Sequence, residues 1–386
     1  MHRQFLKDTA SLALTAFGGP QAHIAMMLDL FVEKRKYLTT EELIEYNALC
    51  QFLPGPTSTQ TLVSVAYKIG GPSLAAMALA IWILPAVIIM SALSFGIFYL
   101  QQNQIDLSFL KLVYPTAVGF IVYAAIKMSS KTVKDLNTIL IFAFSIGLSL
   151  MIRNPWFLPV ILLLGGIISN FSKQETEMVD RIIQKPKWIF LILFFAIFAG
   201  SFLAVRLTDN KLVDVFETMY RFGSLIFGGG QVLIPFMVEE LVMQKEWITT
   251  DEFLTGWAMV QAVPGPVFSF SAFAGGLSMR ENGTTLQLAG NALSAIGIFL
   301  PGLLLIFFVY PVWQNIKRYE VIQKALKGIN AAASGLVVTA AVVVFQTLGF
   351  SWMNLAVIIA VTMILYFSKV PSPAVVAMAL ILGFIF

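Results

Sequence analysis

Charge is what this chain has least of: 12% of its 386 residues are Asp, Glu, Lys or Arg, where a soluble globular domain carries roughly 25%. That shortage excludes an ordinary water-soluble fold. The 58% hydrophobic content and mean hydropathy of +0.83 say which solvent replaces water. Cysteine is nearly absent too. A single Cys50 allows no intramolecular disulfide and no cysteine metal site, and it reads as a small apolar residue in a packed helix. Two histidines, His2 and His23, are too few and too far apart for a metal cluster, so neither a metal nor a cofactor is expected. There is no Gly-x-x-x-x-Gly-Lys-Ser/Thr loop, which argues against an ATPase acting alone. Nor do apolar and polar residues alternate over ten-residue stretches, as the strands of a membrane β-barrel require.

What is present is long apolar sequence. A bilayer-spanning helix needs about 20 apolar residues. Pro72 to Leu100 and Trp188 to Val205 contain no charge, and Gly328 to Ser368 runs uncharged long enough for two spans around a turn near Gln346 to Ser351. The fold class expected is an all-α polytopic membrane protein. The net charge of +4 is therefore not a nucleic-acid signal, since Lys and Arg collect in short loops where they orient a chain in the bilayer. Arg3 and Lys7 ahead of Thr9 to Phe17 look like a short signal peptide, but a matching stretch precedes Phe227 in mid-chain, so this is read as a first membrane segment that is retained.

The chain also writes one stretch twice. Phe17-Gly18-Gly19-Pro20-Gln21 through Gln51-Phe52-Leu53-Pro54-Gly55-Pro56 returns 210 residues later as Phe227-Gly228-Gly229-Gly230-Gln231 through Gln261-Ala262-Val263-Pro264-Gly265-Pro266, with 15 of 40 positions identical and no gap. Beyond this module the match continues at an offset of 216, pairing Pro85 with Pro301 and Gly119 with Gly335. An internal duplication of this kind governs the architecture. It divides the chain into an N-terminal repeat at 1–175, a linker with one connecting span at 176–211, and a C-terminal repeat at 212–386. Each repeat holds about six membrane segments, with a kink expected at Pro85. The extra span at Trp188 to Val205 starts the second repeat from the opposite face, so the two should be inverted repeats, an arrangement many secondary transporters use. Under that thirteen-span reading 16 Lys and Arg fall on the N-terminal side and 8 on the other, placing the N-terminus in the cytoplasm.

The repeated module places helix-breaking residues inside apolar sequence. An unpaired backbone group in a bilayer costs several kcal/mol, so broken helices survive only where they line a cavity or are buried in protein. Gly18-Gly19 and Gly228-Gly229 free the backbone, and Pro54-Gly55-Pro56 and Pro264-Gly265-Pro266 interrupt it more forcefully. A half-helix N-terminus presents free N–H groups and partial positive charge, which suits a small anion. Thr57-Ser58-Thr59-Gln60 adds hydroxyls beside the first such end; the second copy, Val267-Phe268-Ser269-Phe270-Ser271, is thinner in donors. The bland alternative is that these breaks are packing kinks. Thr39 and Glu42 form a capping-box pattern at a helix start, repeated by Thr249 and Glu252.

Ionisable residues at membrane depth form a second signal. Arg221 stands six residues before Phe227 and either supplies a fixed positive charge for an anion or pairs with Glu217 one helical turn away. His23 either carries a proton or hydrogen-bonds a backbone carbonyl. Asp29 aligns with Glu239, a paired acid expected near a solvated segment end, and Lys68 and Arg280 read as interfacial.

The duplicated pairing of Phe-Gly-Gly-Pro/Gly-Gln with Gln-x-x-Pro-Gly-Pro resembles the chromate transporter family, in its long-chain type with two fused halves. The resemblance implies export of chromate across the bacterial plasma membrane, chromate resistance, and sulfate as a related oxyanion. It implicates Phe17, Gly18, Gly19, Pro20, Gln21, Gln51, Pro54, Gly55 and Pro56, with Phe227, Gly228, Gly229, Gln231, Gln261, Pro264, Gly265 and Pro266 as partners. The residues alone add Thr57, Ser58 and Arg221 to the binding set. The expected partners are a small tetrahedral oxyanion and the lipid bilayer, with no nucleic acid and a homodimer left open. A passive anion channel on the same repeats is the alternative. An intramembrane enzyme is not expected, because the few carboxylates show no spaced motif.

Overall fold

A computed structural model describes residues 1–17, 19–105, 107–152, 154, 157–170, 186–227, 230–313, 320–368 and 370–385. Among the described residues all regular structure is helical. In chain order the helices are α1 (His2–Thr15), α2 (Gly19–Met27), α3 (Thr40–Gln51), α4 (Thr57–Gln102), α5 (Val113–Thr132), α6 (Leu136–Met151), α7 (Phe157–Asn170) and α8 (Trp188–Leu207). They continue as α9 (Lys211–Leu225), α10 (Leu233–Met237), α11 (Thr250–Ala262), α12 (Phe270–Ser278), α13 (Thr284–Val309), α14 (Glu320–Leu348), α15 (Trp352–Phe367) and α16 (Ser372–Ile385). Five helical stretches are long and apolar enough to cross a membrane: Thr57–Gln102, Ser108–Thr132, Trp188–Leu207, Thr284–Val312 and Lys327–Leu348. Leu136–Met151, Phe157–Asn170, Val267–Ser278, Trp352–Phe367 and Ser372–Ile385 are apolar but shorter. Most of the expected linker, Ser172 to Lys187, lies outside the described residues.

The duplication is visible in local geometry. Both α2 and α10 run on into a wide π-type turn, Leu28–Lys34 and Val238–Gln244, which correspond residue for residue at the offset of 210. Lys36 and Glu246, again counterparts, both adopt positive φ, 54° and 50°. Both capping boxes close with the same dimensions: Thr39 N–H to Glu42 at 2.9 Å and Glu42 N–H to Thr39 Oγ1 at 3.2 Å, against 2.8 and 3.2 Å for Thr249 and Glu252. At the offset of 216, α6 and α15 have the same 16-residue length. Inside α4 the backbone leaves helical values at Gly70 and Gly71, while Pro85 sits within the helix.

The chain forms two compact units that cut across the repeats: 1–95, 177–229 and 263–319 make one, and 96–176, 230–262 and 320–386 the other. In the first unit α13 packs along α9, α12 and α8. The connecting helix α8 buries little of itself, leaving Ile189, Ile192, Leu193, Phe195 and Leu203 exposed as a lipid-facing surface would. In the second unit α14 lies against α5, α6 and α7, while α15 and α11 flank α5. Close approach there depends on small residues: a side chain at Gly165 would collide with Ala332 and the Gly328 carbonyl, and one at Gly328 with the Gly165 carbonyl. Lacking a hydrophobic drive between helices in lipid, such small-residue seams let backbones pack tightly.

Candidate functional site at the paired helix breaks

In the first copy of the module the helical backbone breaks twice. α1 stops at Thr15, Ala16 turns away at φ −81°, ψ 81°, and Gly19 begins α2 at φ +78°. α3 stops at Gln51, and the buried Pro54, Gly55 and Pro56 lead into α4. Gly55 holds φ +115° and its counterpart Gly265 +116°, a region closed to residues with a Cβ.

Two backbone hydrogen bonds join these breaks. Gly55 N–H donates to Ile226 O at 2.8 Å, and Gly265 N–H donates to Ala16 O at 2.8 Å. Ile226 is the counterpart of Ala16, and Gly265 that of Gly55, so one contact is made twice with the copies exchanged. That reciprocity is the mark of a two-fold relation. Packing around the turns is close as well: a Cβ at Gly55 or at Gly302 would meet the Gln60 amide at 3.0 Å, and one at Gly265 would meet Ala86 at 3.0 Å. All of these residues belong to the first unit.

The first Pro-Gly-Pro delivers a buried helix N-terminus. Gln60 N–H bonds back to Pro56 O at 2.9 Å, and the amides of Thr57, Ser58 and Thr59, with no backbone partner among the described residues, form the open positive end. Gln60 Nε2 donates to Pro54 O at 2.7 Å, fixing the turn, while its buried Oε1 has no protein partner among the described residues. Trp82 Nε1 donates to Thr59 Oγ1 at 3.1 Å. His23, 1% exposed, spans both breaks of the first copy, with Nε2 3.2 Å from Ala16 O and Nδ1 3.0 Å from Ser58 Oγ. Trp82 meets its ring edge-on at 5.2 Å between centroids. The carbonyl-bonding reading of His23 is thus observed, together with a second contact that sequence reasoning did not foresee.

The second Pro-Gly-Pro differs in chemistry. Ser269 N–H bonds Pro266 O at 2.9 Å, and the buried Ser269 and Ser271 hydroxyls have no protein partner among the described residues. Further along, Asn291 Nδ2 donates to Ser94 Oγ at 2.9 Å and Ala272 O at 2.7 Å, leaving Oδ1 without a partner among the described residues.

Several predicted residues stand apart from this cluster. Gly18, Gly228, Gly229 and the Gln21 side chain lie outside the described residues. Gln51 ends α3 exposed. Gln231 and Gln261 are half-buried members of the second unit, and Gln261 Nε2 has no protein partner among the described residues. Arg221 pairs with Glu217 through two contacts, Nε to Oε1 at 2.8 Å and Nη2 to Oε2 at 3.3 Å, with both side chains buried. The aligned acids part company: Asp29 is exposed and paired with Lys34 at 2.7 Å, whereas Glu239 is buried and accepts from Gln244 at 3.1 Å, so only the first fits the expected solvated segment end. Ala16, Ile226 and Trp82 were not singled out by sequence. Carbonyl acceptors carry no side-chain signal, and the only hint was their place just ahead of the Phe-Gly-Gly motif.

Fold and site together define a multi-pass helical membrane protein whose two sequence repeats interlock through broken helices. The family model described as chromate transporter matches residues 3–170 and 213–384, and the chain belongs to that family. It is 25% identical to a chromate transport protein of Cupriavidus metallidurans, over 99% of this chain and 92% of that protein. It is 25% identical to a probable chromate transport protein of Synechococcus elongatus, over 100% and 95%. An uncharacterized transporter of Methanocaldococcus jannaschii is 24% identical over 97% and 92%. No solved structure matches the chain at a significant level.

Proposed function

We propose that this protein is a secondary carrier that exports chromate across the plasma membrane and so confers chromate resistance, with sulfate as a competing oxyanion. Family membership and the names of the Cupriavidus and Synechococcus relatives support the substrate class. The observation that carries the mechanism is the reciprocal pair Gly55–Ile226 and Gly265–Ala16, which gathers two Pro-Gly-Pro turns and two helix ends into one buried cluster. There the open amides of Thr57, Ser58 and Thr59, with the Thr59 hydroxyl, offer donors to a tetrahedral dianion. Charge-assisted hydrogen bonds of this kind are roughly twice as strong as neutral ones. Gly18, Gly19, Gln21 and Gln51 of the first copy are assigned to the site by motif position. Gly228, Gly229, Gln231, Gln261, Pro264 and Pro266 are assigned to it by motif position, and Arg221 as a cation backed by Glu217.

The two repeats lie inverted in the membrane with the N-terminus in the cytoplasm. One bundle then rocks against the other to give alternating access. An inside-negative potential favours a departing dianion, by about 2.3 kcal/mol per charge per 100 mV. The test is uptake of radiolabelled chromate and sulfate into inverted vesicles. Saturable uptake at low turnover is expected, whereas ohmic current through proteoliposomes would make the protein a channel. Gln51→Ala and Gln261→Ala should each abolish uptake while leaving membrane insertion intact; normal uptake by both variants would remove these residues from the site.

A further inference from the structure

Resting on the carrier reading above, we propose that His23 is a proton-coupling residue: it takes up a proton as the oxyanion binds at the α4 N-terminus, so that the two travel together. The hydrogen-bond chemistry around the ring leads there. A backbone carbonyl can only accept, so the Nε2 nitrogen facing Ala16 O carries the hydrogen. In the neutral ring Nδ1 is then an acceptor, and the Ser58 hydroxyl must spend its hydrogen on it. Ser58 is consequently an acceptor-only neighbour to anything at the first turn of α4, which is the wrong polarity for an anion. Protonation of Nδ1 reverses the bond. The imidazolium donates to Ser58 Oγ, the hydroxyl hydrogen is released toward the open amides, and a full positive charge stands behind it. One proton thereby converts the first turn from indifferent to receptive.

The surroundings suit such a role. Among the described residues the ring's two hydrogen bonds and its aromatic contact come from the end of α1 (Ala16), the first turn of α4 (Ser58) and the middle of α4 (Trp82). None of them has a titratable side chain. The acid on the ring's own element, Asp29, is exposed and engaged with Lys34. Among the described residues no carboxylate bonds the ring, so a charge created there has only a bound anion to neutralise it. Thr59 is already arranged in the same sense, because accepting from Trp82 Nε1 leaves its own hydroxyl hydrogen for a ligand. In the second copy Leu233 and Phe268 replace His23 and Ser58, so the device exists once per molecule and the coupling is a single proton. A dianion accompanied by one proton leaves with one net negative charge, which keeps export electrogenic and makes an acidic exterior oppose it.

The experiment uses purified full-length protein in weakly buffered detergent at a pH where free chromate is fully the dianion. A pH dye reads proton uptake on adding chromate, and equilibrium binding of labelled chromate is measured in parallel. The wild type should take up close to one proton per bound anion, with affinity falling about tenfold per pH unit above the histidine's titration. His23→Gln should still bind chromate, weakly and without pH dependence, and take up none. Ser58→Ala keeps the histidine but loses the relay, and its affinity should fall more at low pH than at high. Proton uptake by His23→Gln equal to that of the wild type, or wild-type binding with no proton uptake, overturns the coupling while leaving the carrier reading intact. A wild type that binds no chromate and moves none into vesicles removes both.

Discussion

The two copies of the module have nearly the same backbone and different chemistry, and the difference separates what the fold needs from what transport needs. Pro-Gly-Pro turns with φ of +115° and +116°, matched π-type turns, matched capping boxes and exchanged backbone hydrogen bonds are common to both. These features make the breaks possible in a solvent that leaves no backbone group unpaired cheaply. The side chains lining the breaks are not common. Where the first copy has His23, Ser58, Thr59 and Gln60 in a bonded cluster, the second has Leu233, Phe268, Ser269 and Phe270. Conversely, the second copy holds the Glu217–Arg221 pair where the first has Lys7 and Ser11. A chemically asymmetric lining inside a symmetric frame follows from this.

The largest expected effect tests that buried pair. Replacing Arg221 by Met strands the Glu217 carboxylate in a low-dielectric interior, which should destabilise the protein by about 3–5 kcal/mol, while Glu217→Gln with Arg221→Met together should recover most of it. Thermal unfolding in detergent distinguishes this from a direct role: if the double variant is stable and still carries chromate, Arg221 is structural and drops out of the site. Next comes the shared frame. Gly55→Ala and Gly265→Ala each force a Cβ into a left-handed conformation, at a cost of about 1–3 kcal/mol, and the two should match within experimental error. A large inequality would break the two-fold reading. Thr39→Ala and Thr249→Ala should each cost about 1 kcal/mol, again equally, because the two capping boxes have the same geometry.

How much of this was legible in the sequence divides along the same line. The duplication, the all-helical membrane class and the capping boxes were readable because each rests on residue identity at fixed spacing. The π-type turns at Leu28–Lys34 and Val238–Gln244 were not, since no residue type marks them and only the paired positive φ at Lys36 and Glu246 betrays the altered winding. Nor could sequence show that the compact units cut across the repeats, with residues 1–95 grouped with 263–319. That grouping depends on backbone bonds such as Gly265 to Ala16, between atoms every residue has. Arg221 was ambiguous for a different reason: spacing made Glu217 available, but only coordinates could show that the pair is made.

The smallest expected effect concerns an acid outside the spans and fixes the pH window in which the coupling can be seen. Asp135 caps α6 and meets Lys327 at 2.7 Å, and its carboxyl is held down at about 2, first by that lysine and then by the Thr138 amide. A carboxylate with a depressed pKa contributes stability above its unfolded pKa, near 3.9, and loses it as pH falls toward the folded value. Both partners are substantially exposed, so removing the ion pair should change stability by less than about 1 kcal/mol. Asp135→Ser copies the second repeat, where Ser351 starts α15 without a side-chain cap. The variant should therefore melt slightly lower at pH 7, and the part of the difference due to the ion pair should fade only as pH falls through about 2. Asp8 behaves in the same direction: burial raises its carboxyl, but Tyr37, Arg35 and Gln4 outweigh that and leave it below the ordinary value. Neither acid titrates between pH 5 and 8. A change in chromate affinity with pH, measured where free chromate stays the dianion, which survives Asp135→Ser but vanishes in His23→Gln belongs to the histidine, and one that survives both sends the search for the coupled proton to another part of the molecule.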